Sequence, residues 1–209
     1  MGNYSVVVLD FETTGLSPDR GDRAIEIGAV LIRDNRIVDR FQSLMNPGMR
    51  ITPFIENYTG ITNKMLADAP PAAEVMARFA SFMESHHLVA HNASFDGRFL
   101  DNELCRINLR RKQEFACSLL LSRRLYPDAP SHSLESLVRY KKLKTTGVHH
   151  RALADAEMTA HLWLTFIEEL KGVHRLERVP FDLMRKLAKV SKKKVPAFLE
   201  SLAAVTPSS

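Results

Sequence analysis

The residues able to do chemistry lie in three short, widely separated stretches of this 209-residue chain. They are Asp10-Phe11-Glu12-Thr13-Thr14-Gly15, His91-Asn92-Ala93-Ser94-Phe95-Asp96 and His150-Arg151-Ala152-Leu153-Ala154-Asp155. Together they supply the carboxylates Asp10, Glu12, Asp96 and Asp155 and the imidazole of His150. There is no thiolate pair for zinc, and no Ser/His/Asp order on a nucleophile elbow. Hard oxygen ligands plus one neutral base suit two magnesium or manganese ions and an activated water.

Spacing tells what must hold these groups. Asp10 and Glu12 stand two apart at the end of an apolar run, so a strand puts both on one face and Phe11 on the other. Two such charges raise each other's pKa unless a cation compensates. Thr13-Thr14-Gly15 supplies a tight turn with exposed backbone N–H groups beside them. Asp96 follows a short apolar strand and falls near the start of a helix. His150 and Asp155 stand five apart where a polar segment enters the longest helical pattern. Each site has a plain alternative when taken alone: a solvated strand end, a helix N-cap, a favourable helix-dipole charge, an exposed loop imidazole. Their joint occurrence at strand ends and helix starts favours one shared site. The tyrosines, Trp163 and the methionines read as core packing.

The elements that position the site follow from periodicity. Ser5 to Phe11 fits a buried strand, and Ala24 to Ile32 and Ile37 to Leu44 flank the turn Arg33-Asp34-Asn35-Arg36 as a hairpin. Three adjacent antiparallel strands are therefore expected first. Residues 49 to 71 are turn-rich and expected to wrap the site. Ala72 to Ser85 has a helical apolar face. A short strand over Leu88 to His91, a helix from Asp96 to Cys105 and a fifth strand over Glu114 to Cys117 come next. Helices are expected over Ser118 to Leu125, Ser133 to Lys141 and 152 to 170. This order predicts an α/β fold, a mixed five-stranded sheet flanked by helices.

Composition bounds the rest. An apolar fraction of 45% and a charged fraction of 25% are ordinary for a globular chain. No run is long enough for a membrane span, and no secretory leader or myristoylation pattern is read at the N-terminus. Cys105 and Cys117 match no metal or disulfide framework, so reduced thiols and a cytoplasmic location are expected. The net charge of +5 divides into +6 over residues 171 to 209 and −1 over the remainder. The excess sits in a tail where Arg185, Lys186, Lys189, Lys192, Lys193 and Lys194 interleave with Leu183, Met184, Leu187 and Val190. Such a segment reads as an amphipathic helix with a solvated basic face, or as an auxiliary surface for holding a strand or docking a partner.

D-x-E-T-T-G, H-N-A-x-F-D and H-R-A-x-x-D-A together resemble the three motifs of the DEDDh group of 3′→5′ exonucleases. That group includes the epsilon proofreading subunit of bacterial DNA polymerase III. The resemblance runs over about residues 5 to 170, implying an exonuclease domain over 1–171 and a basic helical extension over 172–209. Thr59-Gly60-Ile61-Thr62 and Ser133-Leu134-Glu135-Ser136-Leu137 also look family-like. The resemblance implies a ribonuclease H-like fold and phosphodiester hydrolysis at the 3′ end of DNA, single-stranded or frayed, with two Mg²⁺ or Mn²⁺ ions. Asp10, Glu12 and Asp155 would hold the metal that binds the attacking water. Asp10 would bridge to a second metal, and Asp96 would bind that one directly or through water. His150, selected over His149 by the His-x4-Asp spacing, would take the water's proton. Thr13, Thr14 and the Gly15 turn would contact the terminal nucleotide, Leu16 would wedge against the last bases, and Asn92 and Phe95 would help line the pocket. The motifs leave open an RNA-directed exoribonuclease of the same family. A non-catalytic nucleic-acid or polymerase-binding module is disfavoured by the complete five-residue set. Association with a DNA polymerase is not readable, and no membrane partner is expected.

Overall fold

The computed structural model describes residues 4–143 and 151–204. Its centre is β1 (Val6–Thr13), in which every residue but Asp10 is buried. β2 (Ala24–Arg33) and β3 (Arg36–Leu44) extend the sheet antiparallel on one side, and β4 (His87–Ala90) and β5 (Phe115–Cys117) extend it parallel on the other. The order is β3-β2-β1-β4-β5, the mixed five-stranded sheet that the sequence pattern predicts. Asp34 and Asn35 close the hairpin with φ of 52° and 58°. A two-residue turn with both central residues left-handed matches the strand twist, and short Asp and Asn side chains tolerate it best.

Alternation along β1 sends its side chains into two cores. Val6 and Val8 pack with Val30 and Ile32 against Trp163 and Phe166 of α7 (Ala152–Gly172). Val7, Leu9 and Phe11 face the other way, against α3 (Ala72–Met83) and α4 (Ala93–Arg106). Asp10 and Glu12 share the parity of Val6 and Val8, so they emerge on the α7 side at the carboxyl end of the strand. α5 (Ser118–Leu125) and α6 (Leu134–Tyr140) complete the helical cover beside α7.

Residues 49 to 71, expected as turns, instead hold two short helices, α1 (Pro53–Thr59) and α2 (Asn63–Ala67). Thr52 Oγ1 accepts from Ile55 N at 3.4 Å, Pro53 follows it, and Gly60 ends the helix at φ 71°. An N-cap, a proline in the first turn and a left-handed glycine past the end are ordinary helix punctuation. Ile51, Ile55, Ile61 and Leu66 bury themselves against Ile25 of β2, which fixes this segment beside the carboxyl end of β1.

Beyond α7 the chain forms α8 (Phe181–Lys189) and α9 (Val195–Ala204). Phe181, Met184 and Leu187 join the core of Val6, Val8 and Trp163, while Lys186, Lys189 and Lys192 to Lys194 are exposed. Phe181 stacks on His87 at 4.1 Å, at the amino end of β4. The basic face thus lies toward the end of the sheet away from Asp10 and Glu12. No helix of the described residues is long and apolar enough to cross a membrane.

Candidate active site

Three elements meet at the carboxyl end of β1. β1 brings Asp10 and Glu12, the first turn of α7 brings Asp155, and the first turn of α4 brings Asp96. Oxygens of Asp10, Glu12 and Asp155 lie within 4.8 Å of one another. Asp96 is buried to 2% exposure, and its Oδ1 accepts from the backbone N–H of Phe11 at 3.2 Å. That bond crosses from α4 to the strand residue between the two β1 acids. His150 and His149 fall outside the described residues.

Burial and crowding make these carboxyls hard to ionise. Burial first, then the charges of Asp96, Asp155, Glu12 and Glu26, push Asp10 well above the usual carboxylate range. Burial first, then Asp155, Glu26 and Asp96, raise Glu12 to about 8, with Arg151 pulling the other way. Burial lifts Asp96 to about 7, against the stabilising hydrogen bonds from Phe11 and its own backbone. An anionic cluster in a partly dry site has an unmet demand for positive charge. Hard oxygens clustered this closely fit magnesium or manganese; among the described residues the cluster holds neither the thiolates nor the imidazoles that zinc favours.

The cluster opens on a cleft of about 640 Å³. Thr13, Thr14, Gly15, Leu16 and Phe95 line it, together with Phe54 and Tyr58 of α1. Leu16, Phe54 and Tyr58 are 73%, 71% and 53% exposed, and the two rings stack 6.1 Å apart at an interplanar angle of 9°. Exposed apolar and aromatic surface around a pocket marks a binding site for something flat and apolar on its face. Thr13 Oγ1 donates to Gly15 O at 2.6 Å, tightening the turn. The Thr14 backbone N–H, expected to be exposed, donates instead to Arg23 O at 2.9 Å. Its hydroxyl donates to Asp22 at 3.3 Å and accepts from Arg23 N at 3.0 Å. A Cβ on Gly15 would come within 2.5 Å of the Asp22 carboxylate, so this turn packs against its own loop.

Asn92 is not among the residues lining the cleft. It adopts φ 79° and its carbonyl accepts from Phe95 N at 2.8 Å, turning the chain from β4 into α4. His91 ties β4 to two further segments, through Ser118 Oγ and the His132 carbonyl, both at 2.9 Å. Burial lowers its pKa to about 4, so it stays neutral there.

Sequence reasoning missed several residues that build this site. Glu26 is fully buried and faces Glu12 in the β1–β2 register. Phe54 and Tyr58 were hidden in a stretch read as turns, although Thr52-Pro53 and Gly60 bracket them with helix signals. Glu103 is buried and accepts from Arg23 Nε and Nη2 at 2.7 and 2.9 Å, tying α4 to the start of β2. For Glu26, a lone acid inside the apolar run of β2 was the available clue.

The family model described as Exonuclease (RNase_T) matches residues 7–163. A PolC-type DNA polymerase III of Caldanaerobacter subterraneus subsp. tengcongensis is 38% identical over 194 residues, 92% of this chain and 14% of that polymerase. The 3′-5′ exonuclease DinG of Bacillus subtilis is 33% identical over 192 residues, 91% of this chain and 20% of that protein. The chain therefore spans only a small part of the length of these relatives. The solved structure of Exonuclease X in complex with 5′ overhanging duplex DNA aligns at a TM-score of 0.70 and 29% identity, covering 88% of this chain and 99% of that one.

Proposed function

This chain belongs to the exonuclease family, and we propose that it hydrolyses phosphodiester bonds from the 3′ end of DNA, single-stranded or frayed, releasing nucleoside 5′-monophosphates. The observation that carries this reading is the convergence of Asp10, Glu12 and Asp155 within 4.8 Å beside an open cleft. The raised pKa values of Asp10 and Glu12 support a site that is completed by cations.

Asp10, Glu12 and Asp155 would hold one divalent ion. Asp10, with Asp96 directly or through water, would hold a second. Such Mg²⁺ or Mn²⁺ ions would supply Lewis-acid chemistry at both the attacking and the leaving oxygen. His150 is assigned the proton of the attacking water, since a neutral imidazole near pH 7 is a competent base. Thr13, Thr14 and Gly15 contact the terminal nucleotide, and Leu16 wedges against the last bases. Phe95 is retained as a pocket residue, and Asn92 as the turn that sets Phe95 in place. The stacked Phe54 and Tyr58 add an apolar face across the cleft, and stacking of this kind tolerates any base.

Catalysis is assigned to residues 1–171, with 172–209 as an extension whose apolar side is part of the core. The PolC-type relative favours DNA over RNA as substrate and a DNA polymerase as partner. Single-turnover rates on matched DNA and RNA oligomers test the substrate class. DNA is expected to be cut at least about tenfold faster, a difference of roughly 1.4 kcal/mol in transition-state stabilisation. Faster cleavage of RNA would make the chain an exoribonuclease. No binding of Mn²⁺ in calorimetry would make it a non-catalytic module.

A further inference from the structure

We infer that Glu26 and Arg151 form a positioning clamp that seats the first turn of α7, and so Asp155, against the two acids of β1. This rests on the metal-site reading above and adds residues that lie outside the four-acid set.

Glu26 has no exposed surface, yet all its hydrogen bonds are made. Arg151 grips it with a fork, Nη2 to Oε1 at 2.7 Å and Nε to Oε2 at 3.1 Å. Ala152 N donates to Oε2 at 3.1 Å, and Gln42 Nε2 to Oε1 at 3.0 Å. Ala152 is the first residue of α7, and Arg151 at its N-cap makes no side-chain cap bond. The helix is therefore capped by a carboxylate from another strand, where a negative charge also meets the positive end of the helix dipole. The bidentate geometry fixes direction as well as distance.

Two placements connect this clamp to the site. Glu26 is the β2 partner of Glu12, and Asp10 pairs with Gly28. A Cβ on Gly28 would lie 2.0 Å from Leu153 N and 2.2 Å from Ala152 C, so the helix backbone rests directly on the strand. From there one turn carries Asp155 to within 4.8 Å of Asp10 and Glu12. A pair joined to the acids through the helix and the strand register acts on how the acids meet.

The test uses Glu26→Gln, Arg151→Lys and the double variant Glu26→Gln/Arg151→Met. Mn²⁺ affinity is read by electron paramagnetic resonance titration, alongside melting and kcat and KM on a DNA oligomer. Removing groups that orient metal ligands costs about 10–100-fold in affinity, and that loss is expected in both single variants. kcat should fall with it, while KM for the oligomer moves less than about threefold, because the cleft walls are untouched. The double variant should lose little more than either single one, since both act through one device. Arg151→Lys keeps the charge and loses the fork, so it decides the matter if Glu26→Gln does not fold. A lower melting point with Mn²⁺ affinity and kcat within twofold of wild type would overturn the clamp and leave a purely structural pair. Asp10→Asn separates the two levels. Loss of Mn²⁺ there with none at Glu26 rejects the clamp alone, and loss in neither rejects the metal site and the clamp with it.

Discussion

Gly28→Ala is the smallest change that should disable the site without touching any of its acids. Alanine in a strand is ordinarily better than glycine by about 0.5–1 kcal/mol, because it loses less conformational freedom on folding. Here the added methyl would meet Leu153 N at 2.0 Å, about 1.4 Å short of the 3.4 Å of ordinary contact. The obstacle is helix backbone, which cannot rotate aside as a side chain can. α7 must lift from β2 by roughly that amount at its first turn, stretching the Ala152–Glu26 bond and carrying Asp155 with it. Overpacking of this kind costs about 1–3 kcal/mol, more than the gain from alanine, and would lower the melting temperature by several degrees. A misplacement of about 1 Å in a catalytic group costs on the order of 10²-fold in rate. The assay is single-turnover cleavage of a 5′-labelled single-stranded oligomer at saturating Mn²⁺, with a melting curve on the same sample. Gly172→Ala at the end of α7 is the control, for nothing lies within 4 Å of its Cβ. It should be neutral, or stabilising by up to about 1 kcal/mol. Wild-type rate and melting in Gly28→Ala would refute the close seating of α7 on β2 and the placement of Asp155 that depends on it.

Raised carboxyl pKa values set the pH dependence. Folding favours the neutral forms of Glu12 and Asp96, with pKa values of about 8 and about 7. Their stabilising contribution is complete below the unfolded values of 4.5 and 3.8 and is lost as pH rises through 7 and 8. Melting temperature in EDTA should therefore fall between about pH 5 and 8, and Mn²⁺ should bind more tightly as pH rises and reverse the fall; a flat profile in both conditions would count against the cluster. His150→Ala should lower kcat by about 10²–10⁴-fold with Mn²⁺ affinity intact, and His149→Ala should matter far less; equal losses would show that the register is wrong. Phe54→Ala and Tyr58→Ala should each weaken oligomer binding by about 1–3 kcal/mol, read as a higher KM, and an unchanged KM would remove α1 from the substrate face.

Much of this architecture was legible because local pattern and tertiary role agree. Valines in β1 and β2, the Asp34-Asn35 turn and the apolar stripe of α7 each specify an element on their own, and short connections then dictate the mixed sheet. The three acidic motifs were legible because carboxylates at strand ends and helix starts are costly to gather without a cation. The pairing of Glu26 with Arg151, 125 positions apart, was not. A buried acid's partner is set by the fold, and many arginines are available to a chain with 29 lysines and arginines. α1 was missed because its seven residues carry no repeating apolar stripe, although its caps were readable. In the tail, the sequence left two readings open. Phe181, Met184 and Leu187 pack in the main core, and Lys186, Lys189 and Lys192 to Lys194 stay exposed, an arrangement that both readings share.

The central claim is that Asp10, Glu12, Asp96 and Asp155 form a divalent-metal site for removing nucleotides from a DNA 3′ end. The most direct measurement follows a 5′-labelled single-stranded DNA oligomer on a sequencing gel, in Mg²⁺ or Mn²⁺ and in EDTA, with wild type and Asp10→Ala. The expected result is a ladder that shortens stepwise from the 3′ end with nucleoside 5′-monophosphates released, abolished by EDTA and slowed more than about 10³-fold by Asp10→Ala. Undiminished shortening in EDTA, or wild-type rates with Asp10→Ala, would contradict it.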